Sequence, residues 1–200
     1  MFNVLIVGGG AAGLSCALVL GSAKKQHFAQ DKNIGIITHQ KTSDLQNALF
    51  NNVLGLSPGT TGDSILNDGK EQLAKLYPHV EQLDNEKVFE ILKVDNLFQV
   101  KTNKNTFQAE LVVIAVGYSN LITIKGLEDY IEPHPRAAQE KHRIWLKNTD
   151  HLIEKGLYVA GTLAGWRSQF AIASGSGAQV ATDILTLWNN GKQTKVHDKI

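Results

Sequence analysis

Gly8-Gly9-Gly10-Ala11-Ala12-Gly13 is the stretch whose residue types and spacing most clearly suit chemistry. It contains G-x-G-x-x-G, a spacing that fits a pyrophosphate. The first glycine permits a tight turn, the second lets the backbone approach the phosphates, and the third lets a helix pack closely on a strand. A helix starting here adds unpaired N–H groups and a positive dipole end. The motif lies between an apolar run, Val4 to Val7, and an Ala- and Leu-rich stretch, Ala11 to Ala23, which read as strand and helix. A glycine turn without a ligand is the weaker reading, because strand, spacing and helix agree.

These elements imply a frame. Asn33 to Thr38 reads as a second strand, parallel to the first because a helix lies between them, which makes a right-handed βαβ unit. An acid normally ends that strand and binds the adenosine ribose. Here the strand ends in Thr38-His39-Gln40-Lys41. The missing acid weakens an NAD reading. His39 with Lys41 suits the extra phosphate of NADP, and a solvated loop accounts for Lys41 equally well. Ser64 to Leu76 reads as a helix weakened by Gly69, and the residues from Lys87 as an antiparallel meander followed by a buried strand, Leu111 to Val116. In the connector 121–154 the patch Arg136 to Lys147 looks helical with mixed periodicity. Gly156 introduces another strand, Gln169 to Trp188 reads as a long helix, and 191–200 as a loose polar tail. The expected fold is α/β, Rossmann-like, with a parallel sheet and a small antiparallel meander, in a single domain over 1–200.

Composition excludes some partners. With 20 Lys+Arg against 19 Asp+Glu, the chain has no field for nucleic acid or anionic lipid. Val4 to Ala23 is uncharged, yet no Lys or Arg precedes it and a glycine cluster interrupts it, so neither a signal peptide nor a membrane span is expected. A lone cysteine, Cys16, and no metal-ligand spacing make a reducing compartment, the cytoplasm, the expectation.

Two further segments join the glycine motif. "LVVIAVGYSN", Leu111 to Asn120, is a strand ending in Ala-x-Gly, and "GLYVAGTLAGWRSQFAIASGSGAQVATDIL", Gly156 to Leu185, is a strand ending in Ala-Gly, a loop and a small-residue helix. In this order they resemble three signatures of the pyridine nucleotide-disulfide oxidoreductase family, most closely the FAD domain of its thioredoxin reductase-like branch. The resemblance implies that Gly8, Gly10, Ala11, Ala12 and Gly13 hold the FAD pyrophosphate and that Thr38 and His39 lie by the adenosine ribose. It sets Gln46 beside the flavin and the strand at Val80 and Glu81 against the adenine. Ala115, Val116 and Gly117 match the family's Ala-Thr-Gly, Gly161 and Thr162 its Gly-Asp, and Gln169 its Arg-Gln-Ala at the start of the last helix.

Departures from the family are equally specific. Its NADPH domain is inserted between the Ala-x-Gly and Gly-Asp strands, where Tyr118 to Leu157 are too few residues for a second βαβ-built unit, and its Cys-x-x-Cys is missing. Cys16 is most simply a small buried residue. Trp166 could cover the flavin ring or simply pack. His134, His142 and His151 read as exposed connector histidines more readily than as acid-base groups, and Arg136 as a solvated charge more readily than as an anion ligand. Three functions stay open: an FAD oxidoreductase without an internal disulfide, a non-catalytic flavin module, and a small NAD(P)-dependent reductase. The donor, acceptor and catalytic residues are unknown, NAD(P)H is a candidate diffusible reductant, and a homodimer is open.

Overall fold

The computed structural model describes residues 1–39, 45–119 and 124–197. The chain opens with β1 (Phe2–Val7), α1 (Ala11–Ser22) and β2 (Ile34–Thr38), and β1 pairs parallel with β2. A two-residue hairpin follows, β3 (Leu49–Phe50) with β4 (Thr60–Thr61). The next elements are α2 (Gly62–Leu76) and β5 (Val80–Asp84), which adds parallel to β2. The Thr61 hydroxyl accepts the Ser64 N–H at 3.2 Å and caps α2, with Asp63 in its first turn and Lys75 in its last, each favoured by the helix dipole. Gly69 stays inside the helix because a Cβ there would lie 3.0 Å from a Leu14 methyl, so the glycine lets α2 approach α1.

The meander is β6 (Val88–Val94), β7 (Leu97–Thr102) and β8 (Thr106–Ile114). Its third strand and the buried strand expected over Leu111 to Val116 are one element. β8 pairs with β1 along one edge, and its other edge is divided between β7 over Thr106 to Ala109 and, further on, β12 over Val112 to Ile114. Gly156, with φ +89°, stands at that handover, where a Cβ would press on the Phe98 ring at 3.0 Å. Beyond β8 come β9 (Ile131–Pro133) and β10 (Ile144–Leu146), paired antiparallel, then β11 (Leu152–Glu154), β12 (Leu157–Val159) and α3 (Phe170–Trp188). The main sheet runs β11-β12-β8-β1-β2-β5, and β6 and β7 branch from β8.

The patch Arg136 to Lys147 is corrected. It holds one 3-10 turn, Gln139–Lys141, ended by His142 in the left-handed region, and the strand β10. Its end pairs antiparallel with β9, Ile144 with Pro133 and Leu146 with Ile131, which holds those residues extended instead of helical. The stretch 191–197 has no regular structure, yet Thr194 is buried and Val196 packs on the core, so this part of the expected loose tail is held down.

Apolar packing covers both faces of the sheet. Val4 and Ile6 face α1 and α3, whereas Leu5 and Val7 face the meander, which is why β1 reads as a continuous apolar run instead of an alternation. Small residues set the α1–α3 approach, since a Cβ on Gly177 would stand 1.9 Å from the Ala12 carbonyl oxygen. No helix among the described residues is long and apolar enough to cross a membrane.

Candidate functional site

The parallel strands β1, β2, β8 and β12 end together, and a cavity of about 870 Å³ lies beyond those ends. Ligands of open α/β sheets bind at such a place, and a volume towards the top of the usual ~300–1,000 Å³ suits a dinucleotide. The glycine motif forms its floor. Gly8 has φ +117°, and a Cβ there would lie 2.5 Å from the Ala115 carbonyl oxygen. A Cβ on Gly13 would lie 1.8 Å from the Gly8 carbonyl oxygen, so helix and strand meet there as the motif requires. At Gly10 a Cβ would meet nothing within 4 Å, and this residue lines the cavity at the start of α1, whose N-terminus has no side-chain cap. Two glycines are therefore demanded by the protein's own packing, and the middle one leaves room for something else. The arrangement fits a pyrophosphate held by backbone N–H groups and a helix dipole.

The structure gathers most of the residues expected from sequence. Ala11 and Ala12 line the cavity beside Gly10, and Ala115, Val116 and Gly117 line it at the end of β8. Gly161 and Thr162 line it beyond β12, with Gln169, the N-cap residue of α3, and Gln46 from the loop before β3. His39 lines it beyond β2, whereas Lys41, on which the NADP reading also leaned, falls outside the described residues. Gly13 lies beneath the floor.

Other expected residues stand elsewhere. Thr38 is buried behind the wall and its hydroxyl donates to Asp84, which also pairs with Lys70 at 2.6 Å. Burial works against the Asp84 carboxylate, yet Lys70 and Thr38 hold its pKa below the usual value. Val80 and Glu81 do not line the cavity, because they begin β5, at the end away from the ligand side; Ile34 pairs with Val80 and Thr38 with Asp84. The wall is made instead by Glu86, Lys87 and Val88, just past the end of that strand. Glu86 is buried there, accepting from the Thr102 hydroxyl and, at 2.8 Å, from the Asn105 amide. Trp166 is also absent from the lining. It stacks on His151 with ring centroids 6.0 Å apart and lies under the Arg136 guanidinium at 5.2 Å.

The connector clamps the turn that carries Thr162. His134 accepts the Arg136 N–H on Nδ1, so its Nε2 donates to the Thr162 carbonyl at 3.0 Å. Asn148 donates to the Ala164 carbonyl at 3.2 Å, and Arg136 to that of Gly165. His151 accepts the Trp166 indole N–H at 3.2 Å on Nε2, which also lies 2.8 Å from the Ser176 hydroxyl; Ser176 in turn accepts the Gly161 N–H at 2.7 Å. Burial pushes the His151 pKa below its ordinary value, against the pull of Asp183 and Asp150. The expectation of exposed histidines thus holds for His142 and fails for His134 and His151, which are buried. Arg136 is exposed, as expected of a solvated charge, and its guanidinium also holds the turn through the Gly165 carbonyl.

Sequence reasoning missed several lining residues. Glu86 to Val88 could have been found from the rule that parallel strands bind at their C-terminal ends. Phe50 of β3 and Phe170 at the start of α3, 5.3 Å apart between centroids, and Tyr118 with Arg143 meet at the cavity through pairings between segments far apart in the chain, which leave no local pattern. Cys16 is fully buried in α1, and burial pushes its thiol far up, so it stays protonated and inert at neutral pH.

Comparison with known proteins agrees with this geometry. An uncharacterized oxidoreductase, CzcO, of Bacillus velezensis is 24% identical over 193 residues, which are 92% of this chain and 52% of that protein, so the chain spans about half the length of this curated relative. Among solved structures, an oxidoreductase from Agrobacterium tumefaciens superposes with a TM-score of 0.74 at 14% identity, covering 93% of this chain and 98% of that one. A thioredoxin reductase from Gloeobacter violaceus gives 0.72 at 14% identity, covering 100% and 98%. These likenesses establish a shared Rossmann-like fold. The sequence pattern of the pyridine nucleotide-disulphide oxidoreductases matches residues 2–165, and the chain belongs to that family.

Proposed function

We propose that this chain binds FAD in the cavity and serves as the flavin unit of an oxidoreductase that uses no dithiol of its own. The observation that carries this reading is the contrast among the motif glycines. Gly8 and Gly13 admit no Cβ, whereas Gly10 opens onto the cavity at an uncapped helix start. The N–H groups around Gly10 to Ala12 would hold the pyrophosphate, with His39 and Glu86 to Val88 at the adenosine end. Gln46, Phe50, Thr162, Gln169 and Phe170 would face the flavin end. FAD, when bound, supplies hydride or electron transfer. The residues bind and orient it: the clamp on 161–165 fixes Thr162, and Phe50 against Phe170 narrows access for water. Residues 1–200 act as one unit in this reading, in the reducing, cytoplasmic setting that the single cysteine favours.

Between β8 and β12 the described residues hold short strands and 3-10 turns with no helix, hence no second βαβ site for a pyridine nucleotide. NAD(P)H would then meet the flavin end without a binding unit of this chain. Rapid mixing of the FAD-loaded protein with NAD(P)H in the absence of oxygen tests the reading. Slow flavin bleaching that rises linearly with NAD(P)H concentration is expected; fast bleaching that saturates at low nucleotide would show a dedicated site and overturn it.

A further inference from the structure

Arg143, from the connector, lines the cavity next to Tyr118, and nothing in the family resemblance assigns it a role. Its guanidinium lies 4.7 Å from the centroid of the Tyr118 ring, which His134 holds edge-on at 5.3 Å. The backbone fixes the same pair, since the Ile144 N–H donates to the Tyr118 carbonyl at 3.1 Å and the His134 N–H to the Arg143 carbonyl at 2.9 Å. The cation is thus placed by two aromatic residues and a hairpin, not by an acid. No carboxylate pairs with Arg143 among the described residues, and its Nε is buried without a hydrogen-bond partner. A guanidinium that lines a cavity with no carboxylate partner is available to pair with an anionic ligand there.

The position indicates which ligand. Tyr118 directly follows Ala115 to Gly117, the segment against which Gly8 packs, so Arg143 borders the stretch of cavity wall that faces the glycine floor. Lys87, the other described cation of the lining, lies beyond β5, across the sheet from β8 and next to Glu86. A dinucleotide pyrophosphate carries two negative charges near neutral pH, whereas a helix N-terminus offers only about half a positive charge. The glycine floor alone leaves charge uncompensated in a half-closed cavity.

Resting on the FAD reading, we propose that Arg143 is a pyrophosphate ligand of the bound dinucleotide, held in place by Tyr118 and supplied by the connector. Charge-assisted contact of this kind makes binding depend on the diphosphate and not on the flavin ring. The experiment is equilibrium titration of the ligand-free protein and its Arg143→Met and Arg143→Lys variants with FAD, ADP and riboflavin, with circular dichroism to verify folding. Binding of FAD by the unaltered protein tests the functional reading itself; its absence would refute that reading whatever the variants do. Given that binding, Arg143→Met should weaken FAD and ADP alike by roughly 10- to 100-fold and leave riboflavin unchanged, with Arg143→Lys in between. Added salt should narrow the difference. Unchanged affinity of folded Arg143→Met for FAD and ADP would overturn the proposal, as would a loss confined to riboflavin or equal for all three ligands.

Discussion

Gly10 and Gly13 belong to one motif and answer to different demands. A side chain at Gly10 has free space, so Gly10→Val should fold with a melting temperature close to that of the unaltered protein and lose FAD, whose phosphates need that space. Gly13→Ala should fail first by folding, because its methyl would overlap the Gly8 carbonyl; a loss of about 1–3 kcal/mol or more is expected. Thermal denaturation beside FAD titration separates the two, and a Gly10→Val protein that binds FAD fully would refute the placement. Residues of this kind were legible in the sequence because their requirement is local: turn, helix start and strand are contiguous. Glu86 to Val88 and Arg143 were not, because they reach the cavity through strand register and a hairpin.

At the scale of elements, the strands and helices around α1 and α3 could be read from apolar runs and glycines, and β8 was read as two pieces because its partner changes along one edge. The connector was opaque for another reason. Its order comes from His134, Arg136, Asn148 and His151 bonding to loop atoms of 161–166 and to Ser176, and such bonds leave no periodicity. This clamp has a pH signature. Folding keeps His151 neutral by burial, so its folded pKa lies below the unfolded value of about 6.5. The unfolded chain therefore takes up the proton first; the stability that depends on neutral His151 is present above about pH 6.5 and declines as pH falls below it. Urea unfolding from pH 7.5 down to 5.5 should show a shallower decline for His151→Gln, whose amide can still accept from Trp166, than for the unaltered protein. Identical slopes would mean that His151 does not titrate with folding.

For the molecule as a whole, the α/β class and the glycine-floored cavity followed from sequence because one βαβ unit and two later strand ends define the sheet edge where ligands bind. What covers the two ends of that cavity did not follow, since those walls come from short pieces far apart in the sequence: Glu86 to Val88 at one end, Phe50 of β3 and Phe170 at the start of α3 at the other. Family membership rests on residues 2–165, and the central claim that remains is the identity of the ligand. The most direct measurement is mass spectrometry of whatever the purified protein releases on denaturation, with titration of FAD and FMN into any ligand-free fraction. FAD should be released or bound and FMN should not compete, because FMN lacks the pyrophosphate that the Gly8 to Gly13 floor fits. Release of nicotinamide nucleotide alone, equal binding of FMN, or no binding of FAD by folded protein would contradict the account.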